Sequence, residues 1–122
     1  MQKFQDLKVW QRSHALVLQA YRLTNRFPAE ERFGLVAQLR RAILSVPTNI
    51  AEGSKRRSGQ EYAHFLNIAE GSLAEAEYLL IVSRDLALAT TEIVQPLLDE
   101  ITEIARMLHA LRTKVAKPPN CR

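Results

Sequence analysis

Three groups of polar residues have types and spacings that could do chemistry. The first is Glu61-Tyr62-Ala63-His64. A Glu-x-x-His spacing sets a carboxylate and an imidazole on one helix face, as in di-iron bundles. Such a centre also needs a second Glu-x-x-His and two further helix-borne glutamates, and the sequence holds no second copy of the motif. Glu61 has a competing task, because Ser58-Gly59-Gln60-Glu61 matches a capping box. The motif therefore reads as a solvated first helical turn, and no metal or other cofactor is expected.

The second group is basic. Lys55-Arg56-Arg57 follows Arg40-Arg41 along the chain. Clustered cations bind phosphates without reading bases, and such binding weakens as salt rises. The same triplet is also what an ordinary solvated loop can carry. The third group is the stripe Gln38, Arg41, Ser45, Asn49 and Glu52. Spacings of three and four put these residues on one helix face, where amide, hydroxyl, cation and acid suit a hydrogen-bonding network at a helix or subunit contact.

Other catalytic patterns do not occur. The sequence has no phosphate-cradling glycine loop, no zincin motif and no nucleophile elbow. The one cysteine, Cys121, stands next to the last residue, remote from any predicted base, so it forms no intrachain disulfide and reads as inert. No catalytic residue is assigned, and the chain is not expected to be an enzyme.

These side chains need elements to hold them. Asp6 is a plausible N-cap for a first helix running to about Arg26, with Val9, Leu16, Ala20, Leu23 and Phe27 on one face, widened by Trp10, Val17 and Tyr21. Phe27-Pro28 ends it, because a residue before proline avoids the α region. The second helix is predicted over roughly Glu31 to Glu52, with Leu35, Leu39, Ile43, Val46 and Ile50 as its apolar stripe. Pro47 lies inside that pattern and removes a backbone donor, so a kink is expected there, with Ser45 available to the freed carbonyls. Gly53 is the expected stop.

The third helix opens at the capping box and buries Tyr62, Phe65, Leu66, Ala69, Leu73, Ala76, Leu80 and Ser83. Ala69, Ser72 and Ala76 are small residues that let another helix approach. In the fourth helix Val94, Leu97, Ile101, Ile104, Leu108, Leu111 and Val115 form a heptad seam. Thr90 or Thr91 is its expected cap, and Pro96 suggests a distorted first turn. Lys117-Pro118-Pro119-Asn120-Cys121-Arg122 is a non-helical tail. Short connections make consecutive helices antiparallel.

Hydrophobic residues make up 47% of the 122, enough for a packed core rather than a disordered chain. Charges interrupt every apolar stretch, so no membrane span is predicted. The first residues carry no apolar signal core, and the expected location is cytoplasmic. Charge is segregated along the chain. Residues 1–57 carry eleven Lys/Arg against four Asp/Glu, residues 58–105 one against nine, and residues 106–122 five against none. Three readings are open: a polyanion partner, opposite-sign surfaces meeting between subunits, or blocks that neutralise each other inside one bundle.

Several stretches carry a resemblance. Phe27-Pro28, Phe33-Gly34-Leu35-Val36-Ala37-Gln38-Leu39-Arg40-Arg41-Ala42 and Ser45-Val46-Pro47-Thr48-Asn49-Ile50-Ala51-Glu52-Gly53 resemble the bacterial four-helix bundle protein family, also called the 23S rRNA intervening-sequence proteins. The likeness continues through Ser58, Glu61-Tyr62, Phe65-Leu66, Ile68-Ala69, Gly71-Ser72-Leu73 and Glu75, and includes Leu7, Val9-Trp10 and Tyr21. It implies an up-down bundle and a ring-like homopentamer. Genes of such proteins can sit in insertions within ribosomal RNA genes. A related branch serves diversity-generating retroelements as an accessory protein that binds a reverse transcriptase and nucleic acid through a basic surface.

The expectation is an all-α antiparallel up-down four-helix bundle, kinked in its second helix at Pro47, with one domain over residues 1–117 and a tail over 118–122. The leading function is a non-enzymatic homo-oligomer that meets RNA or DNA through Arg40, Arg41, Lys55, Arg56 and Arg57. The helix or subunit contact network is Gln38, Ser45, Asn49 and Glu52. The alternative is a protein–protein adaptor with no nucleic-acid role.

Overall fold

The four amphipathic segments become α1 (Lys8–Thr24), α2 (Ala37–Ser54), α3 (Gly59–Asp85) and α4 (Thr91–Ala116) in a computed structural model that describes residues 3–118. Neighbours pack antiparallel in an up-down bundle, and α4 closes it by returning against α1. Among the described residues there is no strand. No described helix is long and apolar enough to cross a membrane. Cys121 and the tail from residue 119 onward lie outside the described residues.

The apolar stripes meet in one core. Leu16 from α1, Leu39, Ile43 and Ile50 from α2, Leu66, Leu73 and Leu80 from α3, and Ile104 and Leu108 from α4 are fully buried. Removing such a side chain from water stabilises the fold by about 1.5–3 kcal/mol. The hydroxyls in this core are satisfied within their own helices. Ser13, Thr24 and Ser83 donate to the carbonyls of Val9, Ala20 and Leu79, one turn back.

Two close approaches set the spacing at one end of the bundle. Gly53 is buried in α2 against α3, where a Cβ would stand 2.8 Å from Phe65 Cβ and 2.9 Å from Tyr62 Cδ1. Gly59, the first residue of α3, sits so tightly on the last turn of α4 that a Cβ would lie 2.0 Å from the Val115 carbonyl oxygen. Both glycines work by lacking a side chain. Gly53 does not end the helix, as the sequence suggested: α2 continues to Ser54, with Lys55 still in right-handed helical geometry. Packing against Tyr62 and Phe65 explains the residue better than termination does.

Other local expectations differ in detail. Asp6 lies in a 3-10 turn (Phe4–Asp6), and Leu7 occupies the N-cap of α1 with no side-chain cap bond. The chain spends Asp6 on that turn, which carries Phe4 back onto Trp10. α2 is preceded by a 3-10 turn (Ala29–Glu31) and a π-turn (Arg32–Val36). It runs on helically through the buried Pro47. The Ser45 hydroxyl does not turn back to a freed carbonyl; it is drawn across to α3, as described below.

The caps of α3 and α4 form through Ser58 and Thr90, whose hydroxyls accept from the backbone N–H of Glu61 and Ile93. α3 stops in a Schellman turn. Leu88 N–H donates to Ser83 O and Ala87 N–H to Arg84 O, with Ala87 at φ 60°.

Ion pairs tie the later helices to their neighbours. Arg12 of α1 donates from Nε and Nη2 to the two carboxylate oxygens of Glu100 on α4, at 2.8 and 2.6 Å. That hydrogen bond raises the Arg12 pKa. Arg112 of α4 pairs with Glu70 of α3. Glu103 has a lowered pKa, chiefly through its hydrogen bond from Arg106 and secondarily through the charges of Arg106 and Arg12. These acidic and basic blocks therefore neutralise each other in part within one chain.

Candidate nucleic-acid interface

Antiparallel packing gathers the start of α1, the α2–α3 connection and the end of α4 at one pole. The sequence triplet Lys55, Arg56 and Arg57 forms that connection, and all three are exposed. Lys55 Nζ lies 5.8 Å from the centre of the Phe4 ring, and the Arg56 guanidinium 4.6 Å from that of Phe65. The aromatic faces hold the aliphatic stems down and leave the charged heads toward water. Arg57 lines a groove of about 420 Å³ with Ser58, Gly59, Val115 and Lys117.

Residues far off in sequence join this pole. Lys3 and Lys8 arrive with the start of α1, and Lys114 and Lys117 with the end of α4; all four are exposed. The exposed acids on the same segments are Asp6, Glu52 and Glu61. The four lysines were not singled out from the sequence. The signal for Lys114 and Lys117 is the all-basic block 106–122, and that for Lys3 and Lys8 the basic excess of residues 1–57, each combined with an antiparallel topology that brings both chain ends to the α2–α3 connection.

The two remaining basic candidates stand elsewhere. Arg40 and Lys55 are about 20 Å apart along α2 at the helical rise. Arg40 is half-buried between α2 and α1: its Nε donates to Thr24 Oγ1 at 2.9 Å and its Nη2 to Asn25 Oδ1 at 2.8 Å. Its guanidinium lies 4.4 Å from the Tyr21 ring centre. This is a clamp between helices, and it sets Arg40 apart from the exposed basic group. Arg41 is exposed on the outer face of α2, away from the pole.

The polar stripe of α2 divides in the same way. Ser72 Oγ of α3 donates to Ser45 Oγ at 2.8 Å, and Asn49 Nδ2 donates to both the hydroxyl and the carbonyl oxygen of Ser45 at 2.8 Å. Gln38 Nε2 donates to Glu75 Oε2 at 3.4 Å. Gln38, Ser45 and Asn49 thus sit at the α2–α3 seam of one chain. Arg41 and Glu52 share their spacing but stay exposed outside these bonds. Ser72, the partner on α3, was visible in the sequence only as a small residue between Ala69 and Ala76.

Among the described residues no three His, Cys, Asp or Glu side chains gather where they could share a metal ion. The Glu61 carboxylate accepts from the Ser58 hydroxyl at 3.3 Å, while His64 meets Phe65 edge-on. His14 stacks on Trp10, and His109 lies beside Arg112.

The fold defines an all-α four-helix bundle with a basic pole. Comparison with known proteins then supplies the family. The model of the 23S rRNA-intervening sequence protein family matches residues 5–110, and the chain belongs to that family. The bundle is also similar to the crystal structure of a protein of unknown function from the S23 ribosomal protein family of Bacteroides thetaiotaomicron, with a TM-score of 0.77 and 24% identity. That likeness covers 85% of this chain and 97% of the other, and it bears on the fold alone. No curated protein matches the chain.

Proposed function

We propose that this protein is a non-enzymatic cytoplasmic homo-oligomer, a pentameric ring, that binds RNA or DNA phosphates through the basic poles of its subunits. The observation that carries this reading is the convergence of Lys3, Lys8, Lys55, Arg56, Arg57, Lys114 and Lys117 from three parts of the sequence onto one end of the bundle. Among the described residues, no ion pair takes up these charges. The described ion pairs of the bundle involve Arg12, Arg84, Arg106 and Arg112 instead. Several copies of a weak basic patch on one ring bind one long polyanion by avidity.

Self-association is supported by the outer face of α3. Ile68 and Tyr78 are 40% and 64% exposed, with Gly71, Ala74 and Glu75 between them, and Leu86, just past the end of the helix, is 60% exposed. The outer face of α4 instead carries Gln95, Asp99, Thr102 and Arg106. The same exposed apolar residues support a second reading, a protein–protein adaptor without a nucleic-acid role.

A salt titration tests the proposal, using single-stranded RNA and duplex DNA on wild type and on a Lys55/Arg56/Arg57→Ala variant. The expected result is affinity that falls steeply with salt in wild type, with the log–log slope reduced by about 2–3 in the variant. Absent or salt-insensitive binding, or identical slopes, would rule the reading out in favour of the adaptor. Light scattering on the same samples reads the oligomer, and a monomer at all concentrations would overturn the ring.

A further inference from the structure

At the pole opposite the basic one, the end of α1 and the approach to α2 enclose a cleft of about 320 Å³. It is lined by Thr24 and Asn25, by Arg32 and Arg40, and by an apolar wall that includes Phe27 and Val36. Its volume falls at the small end of the range for ligand sites. The approach includes the π-turn Arg32–Val36, a backbone form concentrated at functional sites.

The lining chemistry is one-sided. No carboxylate lines the cleft; Glu30 and Glu31 belong to the adjoining turn but are not among the lining residues. Arg40 is half-buried, and among the described residues it has no acidic partner. Every acceptor it meets is neutral: the Thr24 hydroxyl, the Asn25 amide oxygen and, at 3.4 Å, the Tyr21 carbonyl. Those bonds occupy Nε and Nη2 and leave Nη1 free. Asn25 accepts through Oδ1, which leaves its Nδ2 hydrogens available. A partly desolvated cation held by neutral groups gains most from an anion.

We propose that this cleft binds a phosphoryl group, as carried by a small phosphomonoester, between the fixed guanidinium of Arg40 and that of Arg32. Arg32, Arg40 and Asn25 all line this cleft, so two guanidinium side chains and an amide border one space and together can donate to the several oxygens of a phosphoryl group. Pro28 and Ala29, the exposed apolar residues of the lining, offer surface to the organic part of the ester, over a floor made by the buried Phe27 and Val36. The clamp to Thr24, Asn25 and the Tyr21 ring fixes the Arg40 rotamer before the ligand arrives, so less side-chain entropy is lost on binding. The site is independent of the basic pole, which lies at the other end of the bundle.

The test is calorimetric titration of the full chain at constant ionic strength with inorganic phosphate, ribose 5-phosphate and ribose. Both phosphorylated probes are expected to saturate one site per chain and ribose to show no binding. Tighter binding of ribose 5-phosphate than of phosphate identifies the ester as the better ligand, whereas equal binding limits the site to free phosphate and overturns the ester assignment. Arg32→Gln should weaken phosphate by about tenfold while the melting temperature without ligand is unchanged, because Arg32 is exposed. Arg56→Gln/Arg57→Gln should leave it unaltered. Failure to saturate in tens of millimolar phosphate, or equal affinity in wild type and Arg32→Gln, would overturn the site. Loss of binding in the Arg56→Gln/Arg57→Gln variant would instead assign the phosphate to the basic pole.

Discussion

The two poles of this bundle use the same side chain in opposite ways. At the α2–α3 connection, Arg56 and Arg57 are exposed, with their heads in water. At the far pole Arg40 is half-buried, stacked on Tyr21 and hydrogen-bonded to Thr24 and Asn25. An exposed guanidinium contributes little to folding and remains available to a polyanion. A clamped one contributes to folding and is available only on its remaining edge. Burial and partners, not residue type, decide which arginines belong to an interface.

The comparison can be attacked most strongly through the backbone that builds the basic pole. Gly59→Ala puts a methyl group onto the Val115 carbonyl and forces α3 away from α4. It should cost about 3 kcal/mol in chemical denaturation and loosen the pole. A cost near zero would mean that the pole is not rigidly assembled. Arg40→Met against Arg57→Met sharpens the contrast directly. The first should lose about 2 kcal/mol through the broken charged hydrogen bonds, and the second should stay within about 0.5 kcal/mol of wild type. Equal denaturation midpoints for the two variants would erase the distinction.

The smallest effect concerns the turn after α3, at the same pole as Arg40. Ala87 holds a left-handed conformation that strains its Cβ. Ala87→Gly should raise stability by roughly 0.5–1 kcal/mol in thermal melts. A loss of stability would show that the gain in unfolded-chain entropy outweighs the relieved strain.

What was legible in advance follows the range of the forces involved. Leu39, Ile43, Val46 and Ile50, or Val94, Leu97, Ile101 and Ile104, repeat at helical intervals and are buried as that spacing predicts. The Ser58 and Thr90 caps are local hydrogen bonds and were readable for the same reason. Gly53 is ambiguous in the sequence because a glycine near a helix end suits both a stop and a close approach, and only Tyr62 and Phe65 on another helix distinguish them. Asp6 suits an N-cap in sequence, but the preceding turn, which returns Phe4 to Trp10, claims it.

The candidate site was half legible. Lys55, Arg56 and Arg57 were visible as a run, because charge adjacent in sequence is adjacent in space. Lys114 and Lys117 joined them only once the bundle was closed. Arg40 and Arg41 are neighbours in sequence, yet a rotation of about 100° along the helix turns one into the α1 seam and the other to solvent.

The sequence by itself determined four helices, their apolar faces, the Ser58 cap and the segregation of charge, since each follows from spacing along one chain. Only the tertiary structure decided which cations share a pole, which arginine is locked, and where a cleft opens beside it. Those outcomes depend on desolvation and on contacts between residues distant in sequence, and no local pattern encodes either.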